Sequence, residues 1–364
     1  MRNKIKILLE DDNEILGNGL GHPCYRQYLP TKKYVEILNK LSIKGTFYVD
    51  MAHYLFLKEH KDYKDFPFQA QTIKETIKLL VKNKMDVQIH LHSQWVGAKI
   101  KDDHVLVTDK WNIGMLSSED QELLFNKAYD ALSKILNELN IKPNLNSFKA
   151  GSWGLQPFDT LYEVFVSKGI KLAMGPIKGL KVENLDVDYT NLHSDSRPYY
   201  ASKDDINKVD NKKNIVVLPM TPTYLNWPDF LRYIFEMKFV NFFKNNNDFD
   251  KYDVPNTINQ MKPLSGKDKL NFGLKPFKTH LKINAQKYWY LKNTFKRAYK
   301  NIKASNSEYK LIVIETHTKD FIDTFADIEK FFSYIKNNFR DVEFVTTSQI
   351  VEDLSSNKLV PLDE

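Results

Sequence analysis

Four short stretches carry side chains that could perform hydrolytic chemistry: Glu10-Asp11-Asp12, His90-Leu91-His92, Lys149 and Glu315-Thr316-His317. Carboxylates and imidazoles are the donors that hold a divalent ion, and further acids and bases beside such an ion can move protons. Taken singly, each stretch is a weak signal. An acidic pair after a strand is usually turn chemistry or a helix cap. His-x-His is stronger, because alternate residues of a strand share a face. A lone His317 is ordinary for a core or surface histidine. What joins the four is their position, since each ends or follows an apolar, β-branched run.

Those runs read as strands: Lys4–Leu9, Gly45–Val49, Asp86–His90, Leu145–Lys149, Ile170–Met174, Ile215–Pro219, Lys310–Glu315 and Val342–Thr346. Between most of them lie helical patterns. Lys32–Leu41 has helical spacing, and Ala70–Lys84 places Ile73, Ile77, Leu80 and Val81 on one face. A long helix starts at Ser117 with acidic residues in its first turn and runs to about Leu139. Pro157–Lys168 is closed by Gly169, and Phe321–Asn337 is the last long helix. Alternating strands and helices predict a parallel α/β sheet. Seven or eight strand candidates favour a barrel, in which functional groups stand at strand C-termini. The polar residues above occupy those ends.

With these residues in place, the chain resembles the polysaccharide-deacetylase family (NodB homology, carbohydrate esterase family 4). The family's first strand ends in Thr-Phe-Asp-Asp-Gly, and Leu9-Glu10-Asp11-Asp12-Asn13 is similar. Its next strand, Ala-Thr-Phe-Phe-Val, is matched by Gly45-Thr46-Phe47-Tyr48-Val49. Its histidine motif resembles Asp86 to Trp95, its Phe-Arg-Ala-Gly-x-Trp-Gly form resembles Phe148 to Gly154, and its Leu-x-His resembles Glu315-Thr316-His317. The resemblance covers about 1–222 and 306–350.

The resemblance implies a distorted parallel (β/α)7-type barrel. It also implies metal-dependent hydrolysis of an N-acetyl group on a sugar, in surface polysaccharide or glycolipid biosynthesis. Asp11 becomes the general base, His317 the general acid and Lys149 the cation that orients the base. Asp12, His90 and His92 become the metal ligands, with zinc expected first and cobalt or nickel as alternatives. Gln94, Trp95 and Trp153 become substrate-binding residues. Two departures weaken the match. Gln94 stands where the family has its second histidine ligand, so His92 substitutes, Gln94 coordinates weakly, or the metal site is lost. Lys149 replaces an arginine, exchanging a bidentate grip for a point charge. Both leave open a catalytically impaired glycan-binding relative. A glycoside hydrolase using Asp11 or Asp12 with Glu315 is a third reading, which leaves His90 and His92 unexplained.

Bulk properties bound the rest. The balance of 42% hydrophobic and 27% charged residues is that of a globular protein. Cys24 is the single cysteine, so it reads as a small buried hydrophobe. The early apolar run is too short for a signal peptide, and no stretch approaches the ~20 apolar residues of a membrane span. These features predict a cytoplasmic protein, at most peripheral on the inner face of the membrane. The net charge of +7 is uneven: Pro228–Lys303 holds 16 Lys/Arg against 6 Asp/Glu. The barrel is therefore expected over 1–222 and 306–364, with a basic, aromatic insertion at 223–305. The stretch 228–303, through Tyr288-Trp289-Tyr290 and Phe295-Lys296-Arg297, is expected to meet an anionic glycan, a lipid-linked phosphate or a membrane surface. No base-reading motif points to nucleic acid.

Overall fold

A computed structural model describes residues 4–16, 19, 21–101, 104–243, 277–321 and 323–363. Its centre is β1 (Ile5–Asn13), flanked in parallel by β2 (Thr46–Asp50) and β9 (Leu311–Thr316). Beyond β2 follow β3 (Asp86–Leu91), β4 (Ser147–Ala150), β5 (Leu172–Met174), β7 (Val216–Leu218) and β6 (Tyr199–Tyr200). Beyond β9 lies β8 (Lys282–Ile283), and β10 (Val342–Val345) pairs with the start of β1. Among the described residues of this sheet, only the β6–β7 pairing is antiparallel.

The sheet curls into a half-barrel. Leu8, Tyr48, Met174, Leu218 and Val313 come from distant strands yet form one cluster on its inner face. The outer face is covered by helices. Ile7, Leu9, Phe47, Ile89 and Phe148 pack there with residues of α1 (Leu29–Lys40), α3 (Phe66–Lys82), α4 (Ser118–Glu138), α5 (Asp159–Lys168) and α8 (Phe325–Asn338). Burial on both faces is the normal state of a parallel sheet. No described helix is long and apolar enough to cross a membrane.

Outside the basic segment, two described helices escaped the sequence pattern. α2 (Met51–Glu59) follows β2 directly, and Asp50 caps it by accepting from the N–H groups of Ala52 and His53. α9 (Thr347–Ser355) starts with a capping box between Thr346 and Gln349.

The basic segment differs more from expectation. Residues 244–276 lie outside the described residues. Before them runs α6 (Trp227–Phe243), and after them Phe277–His280 pairs antiparallel with Pro222–Leu225. β8 then joins the main sheet, and α7 (Tyr288–Ala304) packs against α8. The described part from 277 is therefore built into the fold that the sequence pattern resumed only at 306. Tyr290 and Phe295 point into the core, so the aromatic face of α7 is committed inward. Some of the cations here are paired: Arg297 with Asp229, Lys303 with Asp341 at 2.7 Å and, at the N-cap, Lys287 with Asp327 at 3.4 Å.

Candidate active site

The chemistry-bearing residues meet at the C-terminal end of the inner face. β1 extends four residues past Leu9, so the acidic run lies within the strand. Side chains then alternate. Leu8 belongs to the inner cluster and Leu9 to the outer one. Glu10 and Asp12 share the face of Leu8, and Asp11 shares that of Leu9.

Asp11 consequently points toward the helical layer. Its carboxylate accepts from Thr316 Oγ1 at 2.8 Å, Thr318 N at 2.9 Å, Thr318 Oγ1 at 3.0 Å and Asn13 Nδ2 at 3.3 Å. Burial raises its pKa to about 6. This staples the end of β9 to β1, whereas the family resemblance implies that Asp11 is the base. Asp11 thus lies on the face of β1 opposite to Asp12, with four hydrogen-bond donors on its carboxylate.

Asp12 takes the inner position. Its Oδ1 lies 2.7 Å from Lys149 Nζ, and its Oδ2 lies 3.4 Å from His317 Nε2. Burial opposes its charge, but Lys149, His90 and His317 outweigh burial and hold its pKa at about 2. Burial likewise opposes charge on His317, and Asp12 with Glu315 raises its pKa.

Lys149 is completely buried. Besides Asp12, its ammonium touches Glu10 Oε1 and Oε2 at 2.8 and 3.0 Å and Glu315 Oε1 at 2.8 Å. The partner expected for it was Asp11; the observed partners are the three inner-face carboxylates. Burial pushes the pKa of Glu10 well up, against the pull of Lys149. Burial also opposes the charge of Glu315, but Lys149 and His280 hold its pKa well below the usual range.

A second group lies alongside. His90, His92 and Glu14 bring two imidazole nitrogens and a carboxylate oxygen within 4.8 Å of one another. His90 Nδ1 donates to the Lys149 carbonyl at 2.9 Å, which leaves Nε2 as the lone-pair nitrogen. That nitrogen is 3.3 Å from Glu14 Oε2, and His92 Nε2 meets the same oxygen. Lys319 pairs with the other oxygen, Oε1. The His92 ring is closely held. Its Nδ1 lies 2.8 Å from the Gln94 amide, and a Cβ on Gly151 would approach that Nδ1 to 2.7 Å.

This set fits a divalent metal, with two fixed imidazoles, one carboxylate and room in the ligand count for a fourth position. The triad expected from the resemblance was Asp12, His90 and His92; in the structure Glu14 converges with the two histidines, and Asp12 groups with Glu315 and His317. Asp12, Glu315 and His317 also lie within 4.8 Å. However, Asp12 and Glu315 already share the ammonium of Lys149, which supplies the positive charge there.

The aromatic expectations divide. Trp95 is buried and stacked on His53 with centroids 4.4 Å apart, so its indole is core and presents no sugar-binding face. Gln94 is buried beside His92, behind the site. Trp153 stands at the rim, half-buried, with its Nε1 donating to Glu315 Oε1 at 3.1 Å. Sequence reasoning missed Glu14, Lys319 and His280. Glu14 was within reach of the strand-alternation rule. Lys319 and His280 carry no local signal.

No family model matches the sequence, and no curated protein matches it. Solved structures do match. An assigned polysaccharide deacetylase from Mycobacterium smegmatis aligns at 11% identity with a TM-score of 0.55, over 99% of this chain and 93% of that one. The fold is that of the polysaccharide deacetylases. A second assigned polysaccharide deacetylase, from Pseudomonas aeruginosa PAO1, aligns at 11% identity and TM-score 0.52, again over 99% and 93% of the two chains. Puue allantoinase aligns at 12% identity and TM-score 0.53, also over 99% and 93%. The polysaccharide-deacetylase fold thus carries more than one named activity, and the reaction must be argued from the site.

Proposed function

We propose that this protein is a metal-dependent carbohydrate N-deacetylase that releases acetate from an N-acetylated sugar in surface polysaccharide or glycolipid biosynthesis. One observation carries the reading: on one sheet face the Glu14–His90–His92 cradle adjoins an Asp12–His317 pair at 3.4 Å. Glu14, His90 and His92 would hold the ion, with zinc favoured by two imidazoles and a carboxylate and cobalt or nickel as alternatives. Once bound, the ion would supply Lewis-acid polarisation of the acetamide and an activated water. Asp12, held ionised by Lys149, takes the proton from the attacking water. His317, its protonated form favoured by Asp12 and Glu315, gives a proton to the departing amine, because an amide nitrogen leaves poorly as an anion. Lys149 does not touch substrate. It fixes Asp12. The test is acetate release from N-acetylated oligosaccharides. Turnover should be lost in Asp12→Asn and His317→Ala, while wild-type protein dialysed against chelator should regain it with zinc.

A catalytically impaired glycan-binding relative is the second reading. It is favoured by the Lys319–Glu14 pair, which already neutralises one candidate ligand. Failure of the wild type to bind any divalent ion would select it. For segment 228–303, the proposed partner is an anionic glycan, a lipid-linked phosphate or a membrane face. Trp227 and Leu231 on α6 are exposed apolar side chains that such a partner could meet. Co-sedimentation with anionic vesicles tests this, and no binding at low salt rejects the membrane.

A further inference from the structure

Glu315 is fully buried and receives three donors: Lys149 Nζ at 2.8 Å and Trp153 Nε1 at 3.1 Å on Oε1, and His280 Nε2 on Oε2. Two of the donors come from unusual places. Trp153 and its neighbour Ser152 have φ of 58° and 53°, a left-handed backbone that a tryptophan rarely adopts. The turn is braced by Tyr189, whose hydroxyl donates to the Trp153 carbonyl at 2.6 Å and accepts from Leu155 N at 3.1 Å. The strain thus aims an indole N–H at one carboxylate. His280 arrives on the two-stranded ribbon formed by Pro222–Leu225 and Phe277–His280, its ring edge-on to that of Trp153 with centroids 6.2 Å apart. That ribbon is fastened to β9, since Thr221 Oγ1 accepts from Val313 N at 2.7 Å and the Leu281 carbonyl accepts from Glu315 N at 3.1 Å.

An ammonium has three N–H groups and no acceptor. Lys149 donates to Glu10 and Glu315 and pairs by charge with Asp12 Oδ1 at 2.7 Å. If Glu315 turned away, one N–H would lose its acceptor and the lysine could swing off Asp12. We propose that His280 and Trp153 are positioning residues which, through Glu315, hold Lys149 against Asp12, so that the basic segment contributes to the deacetylase site through its ribbon. This inference rests on the deacetylase reading for its kinetic consequence but not for the physical link.

The experiment uses the full chain loaded with zinc, assayed on N-acetylglucosamine oligomers, with bound zinc and thermal midpoint measured for every variant. His280→Ala should lower kcat by about 10- to 100-fold with KM within about twofold, as expected of a misplaced catalytic group. Bound zinc should be unchanged, and His280→Gln, which can place a donor near the same point, should recover most of the loss. A purely structural histidine would instead lower the thermal midpoint and leave kcat alone. Unchanged kcat in His280→Ala, or a loss that follows bound zinc, overturns the proposal. A wild type inactive on every N-acetylated sugar defeats the deacetylase reading but leaves the link testable. The Trp153 indole N–H resonance, assigned with Trp153→Phe, should shift in His280→Ala, and a resonance that stays in place overturns the link.

Discussion

The Lys149 ammonium stands 2.7 Å from Asp12 Oδ1, on the face of β1 opposite to Asp11. One step along a strand thus separates two aspartates with different work. Asp11 ties β1 to Thr316 and Thr318, and Asp12 belongs to the charged inner face.

The first prediction follows from that step. Asp12→Asn should reduce acetate release by about 10²- to 10⁴-fold, the range typical of general acid–base groups. Asp11→Asn preserves the shape of a carboxylate that accepts hydrogen bonds, and turnover should stay within a few-fold of wild type. Steady-state assays of the two variants decide between the assignments, and the opposite ranking restores Asp11 as base.

Stability should depend on pH through Asp11. Its folded pKa of about 6 lies above the ordinary 3.8. The folded state therefore holds the proton longer, and stability falls as pH rises from about 4 to about 6. The cumulative loss across that window is about 3 kcal/mol, because each pH step of one between the two pKa values costs about 1.4 kcal/mol. Asp11→Asn cannot ionise, so its stability relative to wild type should improve across that window. Urea unfolding of both proteins at pH 4 and pH 7 measures the difference, and a constant difference contradicts a raised pKa at Asp11.

Gly151 should be intolerant of a side chain. A Cβ there would lie 2.7 to 2.8 Å from three atoms of the His92 ring. That ring is also held by Gln94 and Glu14, so it has little room to yield. Gly151→Ala should destabilise the protein by about 1–3 kcal/mol, as overpacking does, and should weaken metal binding. Calorimetric unfolding and a zinc titration check the two effects, and wild-type zinc affinity would show that His92 is not a ligand.

Trp95 should behave as core. Trp95→Ala is expected to cost about 3–5 kcal/mol of stability. Under conditions where the variant remains folded, KM should be unchanged. A raised KM with normal stability would return Trp95 to the substrate.

Much of the fold was legible because its strands are apolar runs separated by amphipathic helices, as in Ala70–Lys84 against the observed α3. The site was legible only to the resolution of a stretch. β1 is buried on both faces, so Ile5 to Leu9 shows no alternation from which to decide whether Asp11 or Asp12 looks inward. The family resemblance filled that gap with Asp11, and the proposed roles move the base to Asp12. Glu14 lies beyond the motif and so went unremarked. His280 sits in a basic segment with no chemical pattern around it, and only the pairing of Pro222–Leu225 with Phe277–His280 carries it to Glu315. The aromatic-basic pattern of α7 suggested a membrane face; in the fold Tyr290 and Phe295 pack inward, Arg297 and Lys303 meet Asp229 and Asp341, and Lys296 and Lys300 stay exposed.

The most direct test is bound metal, measured by elemental mass spectrometry on wild type, Glu14→Gln, His90→Ala and Asp12→Asn purified without chelator. Close to one equivalent of zinc, cobalt or nickel is expected in the wild type and in Asp12→Asn, and little in Glu14→Gln or His90→Ala. Metal retained in Glu14→Gln and lost in Asp12→Asn would contradict the assignment of Glu14 as ligand and Asp12 as base.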